Sequence, residues 1–182
     1  MSEEILTSNF FELFGLPVSY DVDLNQIQQQ YMTLQKRVHP DNFANGSDQE
    51  KRLSMQQTSW INEAQATLKD PVLRAIYLLK LNDVDFSLDN ETTMDAAFLM
   101  QQLEMRERLE NIKSEADPLD RLDDIAKDVT AATKTMMESF AQCFESEQLD
   151  EAREWIRKLQ FMQKAKNEID QLAADIEDEL MS

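Results

Sequence analysis

The sequence predicts an all-α protein in two parts, an N-terminal group of helices built on one antiparallel pair and a C-terminal bundle of three long helices. Three observations carry that prediction. Only 2 Gly and 4 Pro interrupt 182 residues, while Leu, Met, Gln, Glu and Ala, the good helix formers, are plentiful. Apolar residues recur at spacings of three and four, the period of a helix face. Capping residues and prolines stand where those periodic runs begin and end.

The elements follow in order. Asn9 to Phe14 is a short apolar run that Gly15-Leu16-Pro17 closes, because Gly15 supplies a left-handed cap and Pro17 prevents continuation. Asp23-Leu24-Asn25-Gln26 resembles a capping box, and Leu24, Ile27, Tyr31, Leu34 and Val38 then form the stripe of a second helix. From Leu24 to Val38 there is no acidic residue. Pro40 ends this helix at His39, and Asn42 to Ser47 forms a polar loop. A third helix runs from Ser47 or Asp48 to about Lys69 with Leu53, Gln57, Ile61, Ala64 and Leu68 on one stripe, antiparallel to the second. Asp70-Pro71 opens a fourth through Leu81. That helix is apolar on nearly every side, so it is expected to lie buried between two bodies, with the N-terminal part packed against the bundle.

Residues 82–91 read as a polar linker held down by Val84, Phe86 and Leu88, which divides the chain into domains 1–81 and 92–182. Three long helices follow: Thr92 or Thr93 to Lys113, Pro118 to Glu145, and Leu149 to about Leu180. The connections between them are short, so neighbours are antiparallel.

Composition excludes several functions. The net charge is −18, and residues 82–182 carry 26 acidic against 11 basic side chains. Such a surface repels phosphate backbones and anionic lipid, which argues against nucleic acid or membrane as a partner. No apolar run approaches the ~18 residues of a membrane span. The opening Met1-Ser2-Glu3-Glu4-Ile5 is acidic and has no apolar core, so neither a secretory signal nor a transit peptide is expected, and the location is expected to be cytoplasmic. A single cysteine, Cys143, precludes an internal disulfide, and with one histidine it supplies too few ligands for a metal site. Cys143 is expected to be a small buried thiol, and Trp60 and Trp155 packing residues. No glycine loop or nucleophile with a base is present, so the chain is not expected to be an enzyme or to hold a cofactor.

The informative element is His39-Pro40-Asp41 between two antiparallel amphipathic helices, with a short helix before and another after. Together with Phe11-Glu12-Leu13-Phe14-Gly15-Leu16, Tyr31, Phe43 and Ile61-Asn62-Glu63-Ala64, it resembles a J-domain over residues 9–81. In J-domains this tripeptide and basic residues of the second helix engage a DnaK-like chaperone and stimulate its ATP hydrolysis. The resemblance therefore implies that His39, Pro40 and Asp41 form the chaperone-binding core, with Lys36 and Arg37 as charge contacts. Asn42 stands where a lysine is common, and the second helix is less basic than usual, which implies weaker steering by charge. The alternative is a turn in which Asp41 caps and His39 packs.

The C-terminal part carries more apolar residues than one core needs. On the helix from Thr92, Met94, Phe98, Met105, Leu109 and Ile112 share the core face, while Leu99 and Leu103 point elsewhere. On the last helix Ala152, Trp155, Ile156, Leu159 and Ile169 form the stripe, and Phe161 falls outside it. Apolar anchors rimmed by charge suit a binding surface, although packing of the leucines on the fourth helix or the linker is the alternative.

Phe98-Leu99-Met100-Gln101-Gln102-Leu103-Glu104-Met105-Arg106-Glu107 and Arg157-Lys158-Leu159-Gln160-Phe161 resemble the C-terminal domain of the HscB family. That resemblance implies a co-chaperone that binds the iron–sulfur scaffold IscU and delivers it to the DnaK-like chaperone HscA. It implies Leu99, Met100, Leu103, Glu104, Glu107 and Phe161 as scaffold-binding residues, the glutamates facing basic partners. A bacterial-type member is expected, since the N-terminal cysteine motif and transit segment of the eukaryotic branch are missing from the sequence, and the chain is expected to act as a monomer. A general J-protein adaptor with another client is the alternative; the glycine-rich linker or cysteine-rich repeats it would carry are absent.

Overall fold

The computed structural model describes residues 4–43, 46–87 and 91–181. Among the described residues there are eight α-helices and no strand: α1 (Glu4–Thr7), α2 (Phe10–Leu13), α3 (Leu24–Val38), α4 (Asp48–Lys69), α5 (Pro71–Leu81), α6 (Ala96–Glu110), α7 (Pro118–Glu145) and α8 (Leu149–Met181). The chain divides into two compact units, Met1–Asp83 and Val84–Ser182.

In the first unit the expected run from Asn9 resolves into α2 with Asn9 as its cap. The Asn9 side chain accepts from the Glu12 amide at 3.0 Å, and the Glu12 carboxylate accepts from the Asn9 amide at 3.1 Å. Gly15 then takes φ 65° and turns the chain, while Phe11 and Phe14 are fully buried. The sequence reading missed α1, a single turn that buries Ile5.

Asp23 caps α3 by accepting from the amides of Asn25 and Gln26. Gln26 does not close a capping box; its amide donates instead to the Gly15 carbonyl at 3.1 Å and ties the start of α3 to the preceding turn. Leu24 is 51% exposed, so the core face begins only at Ile27 and continues through Leu34 and Val38. Across the α3–α4 pair, Tyr31 donates its hydroxyl proton to the Asn62 side-chain oxygen at 3.0 Å. A complete capping box at Ser47 and Glu50 opens α4 and holds the Glu50 carboxyl below its usual range, through the hydrogen bonds Ser47 donates. The buried row of α4 is Ser54, Gln57, Ile61, Ala64 and Leu68; Leu53, expected there, is half-buried.

Asp70 and Pro71 start α5 as expected. Its Arg74 is a buried cation that pattern reading did not anticipate. Arg74 donates to the Leu68 carbonyl at 2.6 Å and lies 4.8 Å from the Tyr20 ring centroid. Tyr20 is itself buried, and burial, partly opposed by Arg74, pushes its phenol up to about 12. Phe10 stacks on Tyr77 and meets Trp60 edge-on, which closes the aromatic end of this core.

The second unit is the three-helix bundle of α6, α7 and α8. Residues 92–95 are not helical, because Thr93 and Asp95 use their side chains to end the approach rather than to continue a helix. The buried Thr93 hydroxyl accepts from the Asp95 amide and donates to Glu154, and Asp95 caps α6 by accepting from the Phe98 amide at 3.1 Å. Met94 is consequently off the helix and 84% exposed, not on the core face. At the other end Asn111 donates to the Glu107 carbonyl and a 3-10 turn, Ile112–Ser114, replaces the expected last helical turn. Phe98, Leu109, Ile112, Ile125, Met162 and Ile169 belong to the core.

A polar strap ties the segment before α6 to α8. The Glu91 carboxylate, 7% exposed, pairs with both Arg153 and Arg157, the latter at 2.7 Å; Arg157 also pairs with Glu154 at 2.9 Å, and Lys158 with Asp95 at 2.7 Å. Phe86 lies under the Arg153 guanidinium at 6.0 Å. Leu88, expected to hold the linker down, lies outside the described residues. Cys143 is half-exposed rather than buried, its sulfur 3.8 Å from a Glu151 oxygen. Trp155 is also only half-buried, with the Lys158 ammonium 4.8 Å from its ring.

The strap predicts an acid sensitivity. Hydrogen bonds from Arg153 and Arg157 outweigh burial and lower the Glu91 pKa from its ordinary 4.5. A depressed folded-state value stabilises above the unfolded value and is lost as pH falls through the folded one. Between pH 7 and about 3 the Glu91→Gln variant is therefore expected to lose less stability than the wild type, measured by urea unfolding at stepped pH. Equal losses in the two proteins would exclude the strap as a pH-linked contact.

Candidate functional site

His39 leaves the end of α3 with extended geometry, φ −55° and ψ 132°, as the residue before a proline must. Pro40–Phe43 forms a 3-10 turn. The side chains of His39 and Asp41 are 54% and 90% exposed, with Nδ1 and the carboxylate 3.5 Å apart. Nδ1 also accepts from the Asp41 amide at 3.3 Å, so the contacts of the ring within the turn are made by Nδ1.

Two residues absent from the sequence-predicted site brace this turn. Asn42 donates its side-chain amide to the Lys36 carbonyl at 2.8 Å, satisfying an acceptor that the end of α3 leaves open. Its own backbone amide donates to the His39 carbonyl at 2.9 Å. From α4, the buried Ser54 hydroxyl donates to the Val38 carbonyl at 2.6 Å. Asn42, noted in the sequence only as a departure from a lysine, thus has a structural task. Ser54 is recognisable only once α3 and α4 are paired. Lys36 and Arg37 are exposed in the last turn of α3, where cations suit the helix C-terminus, and no ion pair among the described residues engages them.

The second candidate surface lies between α6 and α8. Leu99 and Leu103 are 37% and 53% exposed and line a groove of about 410 Å³ with Phe161. Gln102, Met105, Arg106, Lys164, Ala165 and Glu168 complete its walls. Phe161 also belongs partly to the core: its ring meets Phe98 edge-on at 5.7 Å. The expected glutamates do not join this groove. Glu104 and Glu107 line a separate depression on the α7 side of α6, with Arg108, Asn111, Ile112 and Arg121. Met100, 58% exposed, lines neither.

Comparison with known proteins agrees with both halves. Residues 9–77 match the DnaJ domain family, and residues 94–170 match the HSCB C-terminal oligomerisation domain. The chain is 43% identical over 164 residues to the co-chaperone protein HscB homolog of Aliivibrio salmonicida, covering 90% of this chain and 96% of that one. It is 45% identical over 168 residues to the homolog of Shewanella halifaxensis, covering 88% and 94%. Among solved structures, chaperone HscB from Vibrio cholerae superimposes with a TM-score of 0.84 at 39% identity, covering 95% of this chain and 99% of that one. Human co-chaperone protein HscB gives 0.82 at 30% identity, covering 90% and 81%.

The bracing of the turn is testable without touching the tripeptide. Ser54→Ala leaves the Val38 carbonyl without its partner and is expected to cost about 1–3 kcal/mol, and Asn42→Ala about 1 kcal/mol, by urea unfolding. Amide exchange at His39, Asp41, Asn42 and Phe43 should quicken in both; unchanged exchange would show that these bonds do not hold the turn.

Proposed function

The chain belongs to the HscB co-chaperone family, and on that premise we propose that it presents the iron–sulfur scaffold IscU to the DnaK-like chaperone HscA and stimulates ATP hydrolysis by that chaperone. The observation that carries this reading is the braced, outward-facing His39-Pro40-Asp41 turn. HscA grips His39, Pro40 and Asp41, while Lys36 and Arg37 meet acidic groups beside that contact. The hydrolytic site is the partner's; this chain contributes the contact that triggers it.

The scaffold docks on the C-terminal unit. Leu99, Leu103 and Phe161 supply apolar anchors, Met100 adds an adaptable one, and Glu104 and Glu107 receive basic residues of the scaffold. The two glutamates stand on the opposite flank of α6 from the groove, so the scaffold straddles α6 rather than filling one pocket. Holding client and chaperone on one chain raises the effective concentration of each near the other. The process served is iron–sulfur cluster assembly and transfer in the bacterial cytoplasm, with the chain working as a monomer.

Single-turnover ATP hydrolysis by an HscA-type chaperone, measured with the scaffold present, tests both contacts. His39→Gln is expected to lower the stimulated rate at least about tenfold. Leu99→Ala/Leu103→Ala/Phe161→Ala should keep the stimulation by the co-chaperone alone and lose the added effect of the scaffold. A triple variant with full scaffold synergy would refute the docking surface, and a silent His39→Gln would refute the whole reading.

A further inference from the structure

Ion pairing is close to saturated in the second unit. Of its eleven basic side chains, nine are held by carboxylates of the same unit. No ion pair among the described residues engages the other two, Lys164 and Lys166, although the whole chain carries a net charge of −18. Lys164 lines the groove formed by Leu99, Leu103 and Phe161; Lys166, two residues along α8, does not. Two positions on a helix are about 200° apart, so the two lysines face opposite ways. Arg106, the other cation of the groove, is turned to Glu110 at 3.4 Å.

An unengaged ammonium at the edge of exposed aliphatic surface has a definite complement. An aliphatic side chain seated between Leu99, Leu103 and Phe161 excludes water from the groove, and a charge pair at its edge strengthens as the local dielectric falls. Over most of this acidic unit a partner's carboxylate meets repulsion; in the groove, beside Lys164, it meets an open cation. Glu168, one turn along α8 on the same wall, disfavours a carboxylate at its own end and so fixes the side on which one is received.

We propose that Lys164 is a specificity-determining residue of the groove, selecting a partner segment in which an aspartate or glutamate stands beside the aliphatic anchor. This rests on the reading that the groove holds the scaffold, and it adds a site for an acidic residue to a surface otherwise expected to receive basic ones.

Isothermal titration of the full chain with an IscU-type scaffold protein tests it. Lys164→Ala is expected to weaken binding about threefold and to flatten its salt dependence, and Lys164→Glu to weaken it about tenfold or more. Lys166→Glu makes the same change in net charge outside the groove and should stay within about twofold of wild type. Equal losses from Lys164→Glu and Lys166→Glu, or wild-type binding by Lys164→Glu, would overturn the proposal. Leu103→Ala, titrated in parallel, separates the two readings: if it weakens binding while Lys164→Glu does not, only the carboxylate site falls. If neither does, the docking surface falls and the carboxylate site with it.

Discussion

A helix that stops at a proline leaves backbone carbonyls without partners, and the first unit is arranged around meeting that requirement at the end of α3. Pro40 has no amide hydrogen to offer, so Asn42 and Ser54 supply the donors, one from the turn and one from the facing helix. These bonds brace the junction from which His39 and Asp41 are displayed, beside the Tyr31 and Gln35 bonds to Asn62 that also join α3 to α4. The buried row of α4 begins at Ser54 rather than at the expected Leu53, and from Gln57 to Leu68 it follows the periodicity. The Ser54 hydroxyl spares the Val38 carbonyl the cost of burial without a partner.

Where local chemistry decides, the sequence is legible to the residue. The limits of α3, α5 and α7 follow from Asp23, Pro40, Asp70, Pro71 and Pro118, each acting on its own neighbours. α6 starts later than the periodicity suggests because Asp95 caps it locally, while Thr93, a candidate first residue, is engaged instead by Glu154, sixty-one positions away in the chain. The Arg74–Tyr20 contact is likewise invisible to pattern reading, because only the fold sets the cation over a phenol fifty-four positions away. The tripeptide was found from sequence, its braces were not. Leu99, Leu103 and Phe161 were recognised as surplus to one core, but the separation of Glu104 and Glu107 from them required knowing which helix covers each flank of α6.

Charge in the second unit is organised more than its total suggests. Several pairs lie between side chains three or four apart on one exposed helix face and contribute little to stability. Glu91 and its two arginines are different, because the carboxylate is withdrawn from water and its removal would leave two cations facing one another. The strap ties down the segment before α6, where Thr92 to Asp95 do not form the expected first helical turn.

The edge-on contact between Phe161 and Phe98 has a further consequence for recognition. Phe98 is buried, and its amide is held by Asp95, whose carboxylate is held in turn by Lys158. Phe161, the aromatic wall of the groove, thus packs on a ring that is itself held in place, and on the proposed docking surface less of its side-chain entropy would remain to be lost on association. Met100, exposed and unbranched with three rotatable bonds, keeps its freedom. The proposed scaffold surface would thereby combine a packed aromatic wall, suited to discriminating by shape, with a neighbouring pliant side chain suited to accommodating variation.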